Sequence, residues 1–348
     1  MHSAASEDQQ LLLESVRRFL QANPSAAINS LSPGTVATTE AGLRWRNSAA
    51  QGWLQVLVPE EHGGLGLSTL DAAAMAEEMG QRLLDLPVSQ AMAFAGLLAQ
   101  VALDEDNNLD ALKSWLDGSR YCAIAVKEVG EPDNWAEYVC AEEDVLATGW
   151  ADGQLHLEIQ RARHSGQGLD PFIATASLTR PGEAHVNAAW ELPCTSRDWR
   201  QYKGRSRALR LAELLGVSSA ALNKAVAHAC EREQFGKPIG VNQAVKHALA
   251  DNWMALDNAR LVLHDACVRL DDELGPENAT LYLLMAELLV LEASTATAQA
   301  IQTHGALGVA WESGLHLYLR RAHHCAAVLQ CHNDTDTILE QIWALSDS

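Results

Sequence analysis

The spacing of apolar residues divides the chain into three stretches. Between positions 7 and 22, leucine, valine and phenylalanine recur on one helical face, and residues 70–101 are alanine-rich with the same period. These patterns predict that about the first 115 residues are helical, with a glycine-rich turn at 63–66. Beyond Tyr121 the apolar runs are short and divided by Gly, Asp and Pro, as strands are. They cover residues 122–126, 138–140, 155–159 and 172–175.

Helical spacing returns near Ser206 and continues almost to the C-terminus. Breaks in it predict four helices, the number expected for a bundle, and they fall at 236–240, 275–276 and 304–308. We therefore expect a mainly α protein with a small β domain between two helical domains. The expected domains are an N-terminal all-helical domain at 1–118, an abbreviated middle β domain at 119–198 and a C-terminal four-helix bundle at 199–348.

Length and charge narrow the class of partner. A chain of 348 residues is long enough for two or three domains, and its formal net charge is −20. Such a field repels phosphate, which argues against nucleic acid and anionic membrane surfaces. The most apolar run, at 281–291, contains Glu287 and is shorter than a membrane span. Seven cysteines without a CxxC pair, and no secretory signal, favour free thiols and a soluble, cytoplasmic protein.

The break at 232–240 reads REQFGKPIG and lies between two long helical patterns. Gly236 permits backbone conformations that other residues avoid, Pro238 cannot continue a helix, and Gly240 precedes the next helix. Such a corner can present backbone groups, a cation and an aromatic ring to a ligand. Spacing alone favours a plainer alternative, a helix-to-helix connection with a surface arginine.

Three motifs carry a resemblance to a known family. Residues 232–251 read REQFGKPIGVNQAVKHALAD and resemble the arginine, QFG, PIG and QAVKH signature of acyl-CoA dehydrogenases. Residues 302–312 read QTHGALGVAWE and are similar to the QxHGGxG segment near the end of those flavoproteins. Near the start, GW at 52–53 and VPEEHGGLG at 58–66 resemble the family's GW and PEE(Y/H)GGxG turn. The order of these motifs, and of helices, strands and bundle, is also that of the family.

The resemblance implies an oxidoreductase that uses FAD to desaturate an acyl-CoA thioester between its α and β carbons. In the family, the ADP half of FAD lies across a subunit interface and is held by the two bundle segments. Carried over by position, Arg232 would pair with the diphosphate, Gln234 would offer a polar side chain, and Phe235 would pack beside the nucleotide.

The second bundle segment departs from the family pattern at one position. Gln302 and Gly305 would approach the same group as Arg232, but Ala306 stands where the family has its second glycine. A methyl group there could crowd a phosphate, although alanine is the smallest intrusion. All three residues of this segment are cofactor-binding candidates.

The catalytic base is missing from both of its customary places. Many family members carry it in an EGT segment, where residues 326–331 here read AAVLQC. Others carry it at the start of the helix leading to the QFG turn, where this chain has Ser206, whose hydroxyl has no useful basicity. Glu213 lies two turns further along the same helical face and is the nearest carboxylate. A salt bridge with Arg210, or a polar contact inside the bundle, is the plainer role for Glu213.

The middle domain also departs from the family pattern. Family strands carry Ser, Thr and Trp contacts to the flavin ring and a TEPxxGSD-like loop, whereas residues 126–132 here read VKEVGEP and do not align with it. His316, His323 and His324 have no carboxylate companion at metal-ligand spacing, so no metal site is predicted.

Three hypotheses follow from these matches and gaps. In the first, the chain is one subunit of a heteromeric, α2β2 acyl-CoA dehydrogenase of the kind that degrades fatty acid or steroid side chains. It would contribute the ADP half of an interface FAD site, while a second dehydrogenase subunit supplies the base and the flavin pocket. In the second, it is a homo-oligomeric dehydrogenase with Glu213 as a relocated base. In the third, it is a non-catalytic structural paralogue. An electron-transfer flavoprotein is one candidate for the electron acceptor.

Overall fold

The computed structural model describes most of the chain. The described residues are 7–24, 38–101, 117–119, 121, 123–127, 135–139, 144–161, 164–177, 186–272, 276–330 and 334–346. The chain divides into two compact units. One comprises residues 1–32, 73–84 and 207–348, and the other comprises residues 33–72 and 85–206. The bounds of the three domains expected from the sequence stay a prediction.

The N-terminal region is helical, as the apolar spacing predicted. Its helices are α1 (Glu7–Ala22), α2 (Thr38–Ala50), α3 (Thr69–Gln81) and α4 (Val88–Val101), with short 3-10 turns at Trp53–Gln55 and Glu60–His62. The alanine-rich stretch forms two helices because the backbone turns between them, where Leu83 has a φ of 51° and Pro87 precedes α4. In the predicted glycine-rich turn, Gly63 and Gly66 have φ angles of 79° and 58°.

Among the residues that the structure describes, seven strands form the middle β region. They are β1 (Ala123–Lys127), β2 (Trp135–Glu137), β3 (Asp144–Ala151), β4 (Gln154–Arg161), β5 (His164–Gln167), β6 (Ala174–Ser177) and β7 (Val186–Pro193). One sheet has the order β1-β3-β4-β7, with β1 parallel to β3 and the other pairs antiparallel, and the second has the order β2-β6-β5. Small residues of both sheets share one core, which includes Ala123, Val145, Ala136 and Ala176.

The predicted strands were only partly right. The runs at 122–126 and 155–159 fall in β1 and β4, whereas those at 138–140 and 172–175 are displaced from β2 and β6. In the first displaced run, Tyr138 has a φ of 57°, which ends the strand. Strands β3, β5 and β7 were not predicted, because their sequences are rich in polar residues, alanine or glycine and lack a clear apolar alternation.

The C-terminal region is a helical bundle, as predicted. Its helices are α5 (Ser196–Glu231), α6 (Gln243–Leu270), α7 (Pro276–Ala293), α8 (Ala296–His304), α9 (Ala306–Val309), α10 (Leu315–Gln330) and α11 (Thr335–Ser346). Helix α5 begins at Ser196, earlier than the predicted start near Ser206. Thr195 caps it: its hydroxyl lies 2.5 Å from the carboxylate of Asp198, and it accepts from the Asp198 N–H at 3.2 Å.

In the described part of the bundle there are four long helical stretches, and the third is interrupted at a place that spacing did not show. Between α7 and α8, the hydroxyls of Ser294 and Thr295 donate to the carbonyls of Leu291 and Glu292 at 2.7 and 2.8 Å. Such side-chain bonds compete with helical backbone bonds and favour a break. The short helix α9 and the terminal helix α11 are additions to the predicted four.

Two glycines bring α3 and α5 into backbone contact. A Cβ atom on Gly80 would lie 2.1 Å from the carbonyl oxygen of Glu213, and one on Gly216 would lie 2.0 Å from that of Glu77. Neither position can hold a larger residue without separating the helices. Nearby, Arg260 of α6 donates from Nη2 to the Glu77 carboxylate at 2.7 Å, which ties a third helix to this pair.

One apolar helical run is longer than the sequence indicated. Among the described residues, Ala279–His304 is long and apolar enough to cross a membrane by length and composition alone. The core helix of a soluble protein meets the same test, so this is weak evidence. The run packs along α6 and carries Glu287, whose fully buried carboxylate pairs with Arg207 of α5. A buried ion pair inside the bundle is typical of a core helix.

Candidate cofactor site

The segment at 232–240 is a small β-hairpin, whereas the sequence predicted a simple turn between helices. Glu233–Gln234 pairs with Lys237–Pro238 in antiparallel register. The two residues between these strands, Phe235 and Gly236, have φ angles of 55° and 78°. Positive φ at both positions is typical of the type I′ turn that matches the twist of a tight hairpin. The sequence signal for this turn is weak, because Phe rarely adopts positive φ.

The hairpin places Phe235 at its tip with its side chain fully exposed. Its base is held to the bundle in two ways. The Ile239 N–H donates to the Arg232 carbonyl at 2.8 Å, and Gly240 approaches α5 so closely that a Cβ there would lie 2.9 Å from the Ala229 carbonyl oxygen. A bulky aromatic ring in a strained, solvent-exposed conformation indicates a binding role, because burial cannot account for it.

The segment at 302–306 is also exposed. Gly305 has φ 62° and ψ −137°, a conformation available essentially only to glycine, and a Cβ there would meet no atom within 4 Å. Ala306 begins the short helix α9 and has no positive φ, so alanine fits the backbone where the family has glycine. Gln302 lies on the exposed side of α8 just before this turn. The surface around Gly305 is therefore open to a ligand.

A pair of histidines connects the two segments. The rings of His228 on α5 and His304 at the end of α8 stack with centroids 4.2 Å apart and planes inclined by 19°. His228 lies one turn before Arg232, and His304 directly precedes Gly305. The two motif segments begin at Arg232 and Gln302, 70 positions apart in the chain. The structure thus brings them to one end of the bundle.

The residues at this corner fit the ADP half of FAD. Arg232 is exposed, and no ion pair holds its side chain among the residues that the structure describes. Phe235 offers a flat ring on which a base can stack, and the open backbone at Gly305 leaves room for a phosphate. Within the described ranges, no cluster of three or more His, Cys, Asp or Glu side chains could hold a metal ion.

Glu213 is buried inside the bundle and bonded to an arginine. Arg321 of α10, whose side chain is fully buried, donates from Nη1 to Glu213 Oε1 at 3.2 Å and to the Leu84 carbonyl at 2.7 Å. Arg321 was not among the partners considered from the sequence, and the salt bridge with Arg210 stays a prediction. The Glu213–Arg321 pair links α5 to α10 inside the bundle, as buried structural ion pairs do. The geometry favours the structural role, and the role of base stays a prediction.

The customary base positions show no carboxylate in the described chain. Ser206 is half-buried on α5, and residues 326–330 form the last part of α10 and contain no acid. Residue 331 and residues 128–134, which include most of the segment compared with the family's flavin loop, lie outside the described residues.

Sequence reasoning missed two features of the bundle. The first is the Arg207–Glu287 pair, in which burial raises the pKa of Glu287 while Arg207 opposes that rise. The second is the His228–His304 stack. An acidic residue in the most apolar run was the only signal for the first, and no local signal marked the second, because its members lie on different helices.

The comparisons with known proteins agree with this architecture. The family model described as the acyl-CoA dehydrogenase N-terminal domain matches residues 6–107, and the one described as its C-terminal domain matches residues 204–326. The acyl-CoA dehydrogenase IpdE2 of Mycobacterium tuberculosis is 30% identical over 341 residues, covering 97% of this chain and 98% of that protein.

Solved structures share the fold across the whole chain. The ChsE4-ChsE5 complex from Mycobacterium tuberculosis matches with a TM-score of 0.76 at 20% identity and full coverage of both chains. The Tcur3481-Tcur3483 steroid ACAD G363A variant matches with a TM-score of 0.78 at 20% identity, covering 99% of each chain.

A helical N-terminal region, a β middle region and a C-terminal bundle with an exposed arginine corner define an oxidoreductase of the flavoprotein dehydrogenase class. The chain belongs to the acyl-CoA dehydrogenase family. The family and the enzyme class predicted from the three motifs are therefore confirmed.

Proposed function

We propose that this chain is one subunit of a heteromeric, FAD-dependent acyl-CoA dehydrogenase. It holds the ADP half of an FAD shared with a second dehydrogenase subunit, and that partner supplies the base and the flavin-ring pocket. The proposal rests on a contrast between the cofactor-binding segments and the positions of the catalytic base. The segments around Arg232 and Gly305 that match the family's nucleotide motifs are exposed, whereas the described chain has no carboxylate at either customary base position.

FAD is the cofactor of this family, as the motifs predicted. Arg232 would pair with its diphosphate, Phe235 and Gln234 would contact the nucleotide, and Gln302, Gly305 and Ala306 would approach from the second segment. When bound, the flavin accepts the hydride that leaves the β carbon of the acyl-CoA.

Exposed apolar side chains on α6 and α9 support a partner subunit. On α6, large apolar side chains are exposed at spacings of one, seven and eight residues, which places them along one helical face: Trp253, Met254, Leu261 and Val268. On α9, next to the second segment, Leu307 and Val309 are also exposed. Exposed apolar patches of this kind mark protein interfaces. The two-component complex named for one structural neighbour agrees with a heteromer.

The first test is the ratio of bound FAD to polypeptide. The chain is expressed alone and together with a neighbouring dehydrogenase gene, and the visible flavin spectrum is measured after purification. We expect little flavin on the chain alone and a flavin-loaded complex after co-expression. Oxidation of an acyl-CoA at an ordinary rate by the chain alone would show that the heteromer proposal is wrong.

A surface variant sharpens this test. Trp253→Ser removes the largest apolar group of the α6 face without touching Arg232 or Gly305, and it should prevent co-purification with the partner while the chain stays folded. Replacing the exposed Glu340 of α11 by Gln provides a control on another surface, and it should leave the complex intact. If both variants retain the partner equally, the α6 face is not the interface.

Flavin content also separates the alternatives. Full flavin loading and turnover by the chain alone would favour the homo-oligomer with a relocated base at Glu213. A stable, colourless complex whose rate is insensitive to Arg232→Ala would favour the non-catalytic paralogue.

The substrate class that we propose is an acyl-CoA with a bulky side chain. We also propose a cytoplasmic location and an electron-transfer flavoprotein as the electron acceptor.

A further inference from the structure

The stacked imidazoles lie where the two nucleotide-binding segments meet. His228 precedes Arg232 by one helical turn, and His304 directly precedes the open backbone of Gly305. Each ring therefore supports one of the two segments that the proposed function assigns to the diphosphate.

A hydrogen bond fixes the tautomer of one ring. His304 Nδ1 lies 2.8 Å from the carbonyl oxygen of Ala300, one turn earlier on α8. Because a carbonyl oxygen only accepts, Nδ1 carries the hydrogen in this contact. The remaining ring nitrogen, Nε2, takes no part in this helical bond.

The charges that act on His228 come from three side chains. Partial burial lowers the pKa of His228, and the nearby His304 and Arg232 lower it further, whereas Glu231 raises it. Two protonated rings stacked face to face would repel each other and Arg232. A proton on His228 is therefore opposed by His304 and Arg232 and favoured by Glu231.

We propose that His228 and His304 form a proton-coupled anchor for the diphosphate of the nucleotide, taking up a proton when the anion binds beside Arg232. The inference rests on the proposed function, which supplies the nucleotide site. A bound diphosphate offsets the repulsion between the ring charges, so it favours the protonated pair. By linkage, the proton in turn favours the bound diphosphate, and affinity rises as pH falls.

The test uses two probes whose own charge is constant across the neutral range. FAD and ADP-ribose are diphosphate diesters, and they lack the terminal phosphate that would titrate near about pH 6. ADP-ribose reports on the ADP half alone. Binding of each probe is measured by calorimetry on the full-length chain and on its complex with the co-expressed partner, in two buffers of different ionisation enthalpy, so that the number of protons taken up is obtained directly.

We expect ADP-ribose to bind about tenfold more tightly at about pH 6 than at about pH 8, with uptake of about one proton. His228→Phe keeps a ring that can stack on His304 but cannot be protonated, and it should reduce the pH effect to less than about twofold. His304→Phe is the second variant, which is used if the first does not fold. His156→Phe, on β4 of the other unit, should keep the wild-type pH dependence.

Each outcome decides between the two claims. An unchanged pH dependence in the folded variant overturns the anchor, and so does wild-type binding that does not vary with pH. The proposed function survives both results if Arg232→Ala still weakens ADP-ribose binding by about tenfold or more. If neither probe binds to the chain or to the complex, the proposed nucleotide site and the anchor are both wrong.

Discussion

Glu213 decides between a structural and a catalytic interpretation of the bundle, and the variant Glu213→Gln tests it. The carboxylate is buried and accepts from Arg321, whose side chain is fully buried. Removing one member of a buried ion pair typically costs about 3–5 kcal/mol, because the other charge loses its partner. Glutamine keeps an oxygen that can accept, and the Leu84 carbonyl still accepts from Arg321. We therefore expect the lower end, a loss of about 3 kcal/mol in the free energy of unfolding.

Urea denaturation followed by tryptophan fluorescence measures this loss. For a slope of about 3 kcal/mol/M, the midpoint should fall by about 1 M. Glu340→Gln makes the same chemical change on an exposed part of α11 and should stay within about 0.5 kcal/mol of wild type.

Turnover of the flavin-loaded complex separates the two roles of Glu213. If the residue is structural, the rate per bound flavin should change by less than about threefold, whereas removal of a general base costs about 10²–10⁴-fold. An unchanged urea midpoint together with a rate loss of that size would refute the structural interpretation and identify Glu213 as the base.

Three further predictions concern the same chain. Burial raises the pKa of Glu287, so ionisation of this carboxyl carries a stability cost that is absent below the unfolded pKa and complete above the folded pKa; the stability of Glu287→Gln relative to wild type should therefore be higher at neutral than at acidic pH in urea titrations, and a difference independent of pH would contradict this. Gly216→Ala should lose roughly 1–3 kcal/mol in thermal or urea unfolding, because its Cβ would lie 2.0 Å from a carbonyl oxygen, whereas Gly42→Ala, with nothing within 4 Å, should not destabilise; equal effects would argue against close packing of α3 and α5. Phe235→Ala should change stability by less than about 0.5 kcal/mol but weaken FAD binding in equilibrium titrations, since the ring is fully exposed; unaltered FAD affinity would remove Phe235 from the site.

The local pattern of the sequence predicted the elements whose signals lie close together in the chain. Helix α1, the glycine-rich turn at 63–66 and the long helices of the bundle follow from apolar spacing and from glycine at positions of positive φ. Motif order identified the family and the exposed corner around Arg232 in the same way. The start of α5 at Ser196 could also have been found, because Thr195 and Asp198 form a recognisable capping pair.

Tertiary structure decided which residues meet. Glu213 contacts Arg321, 108 positions away in the chain. His228 stacks on His304 because α5 and α8 end at the same corner, and Phe235 adopts a positive φ because the hairpin requires it. Spacing along one helix reports only which face a side chain occupies. The partner of that face depends on how separate helices pack, and packing energy is set by the whole core rather than by any local run of residues.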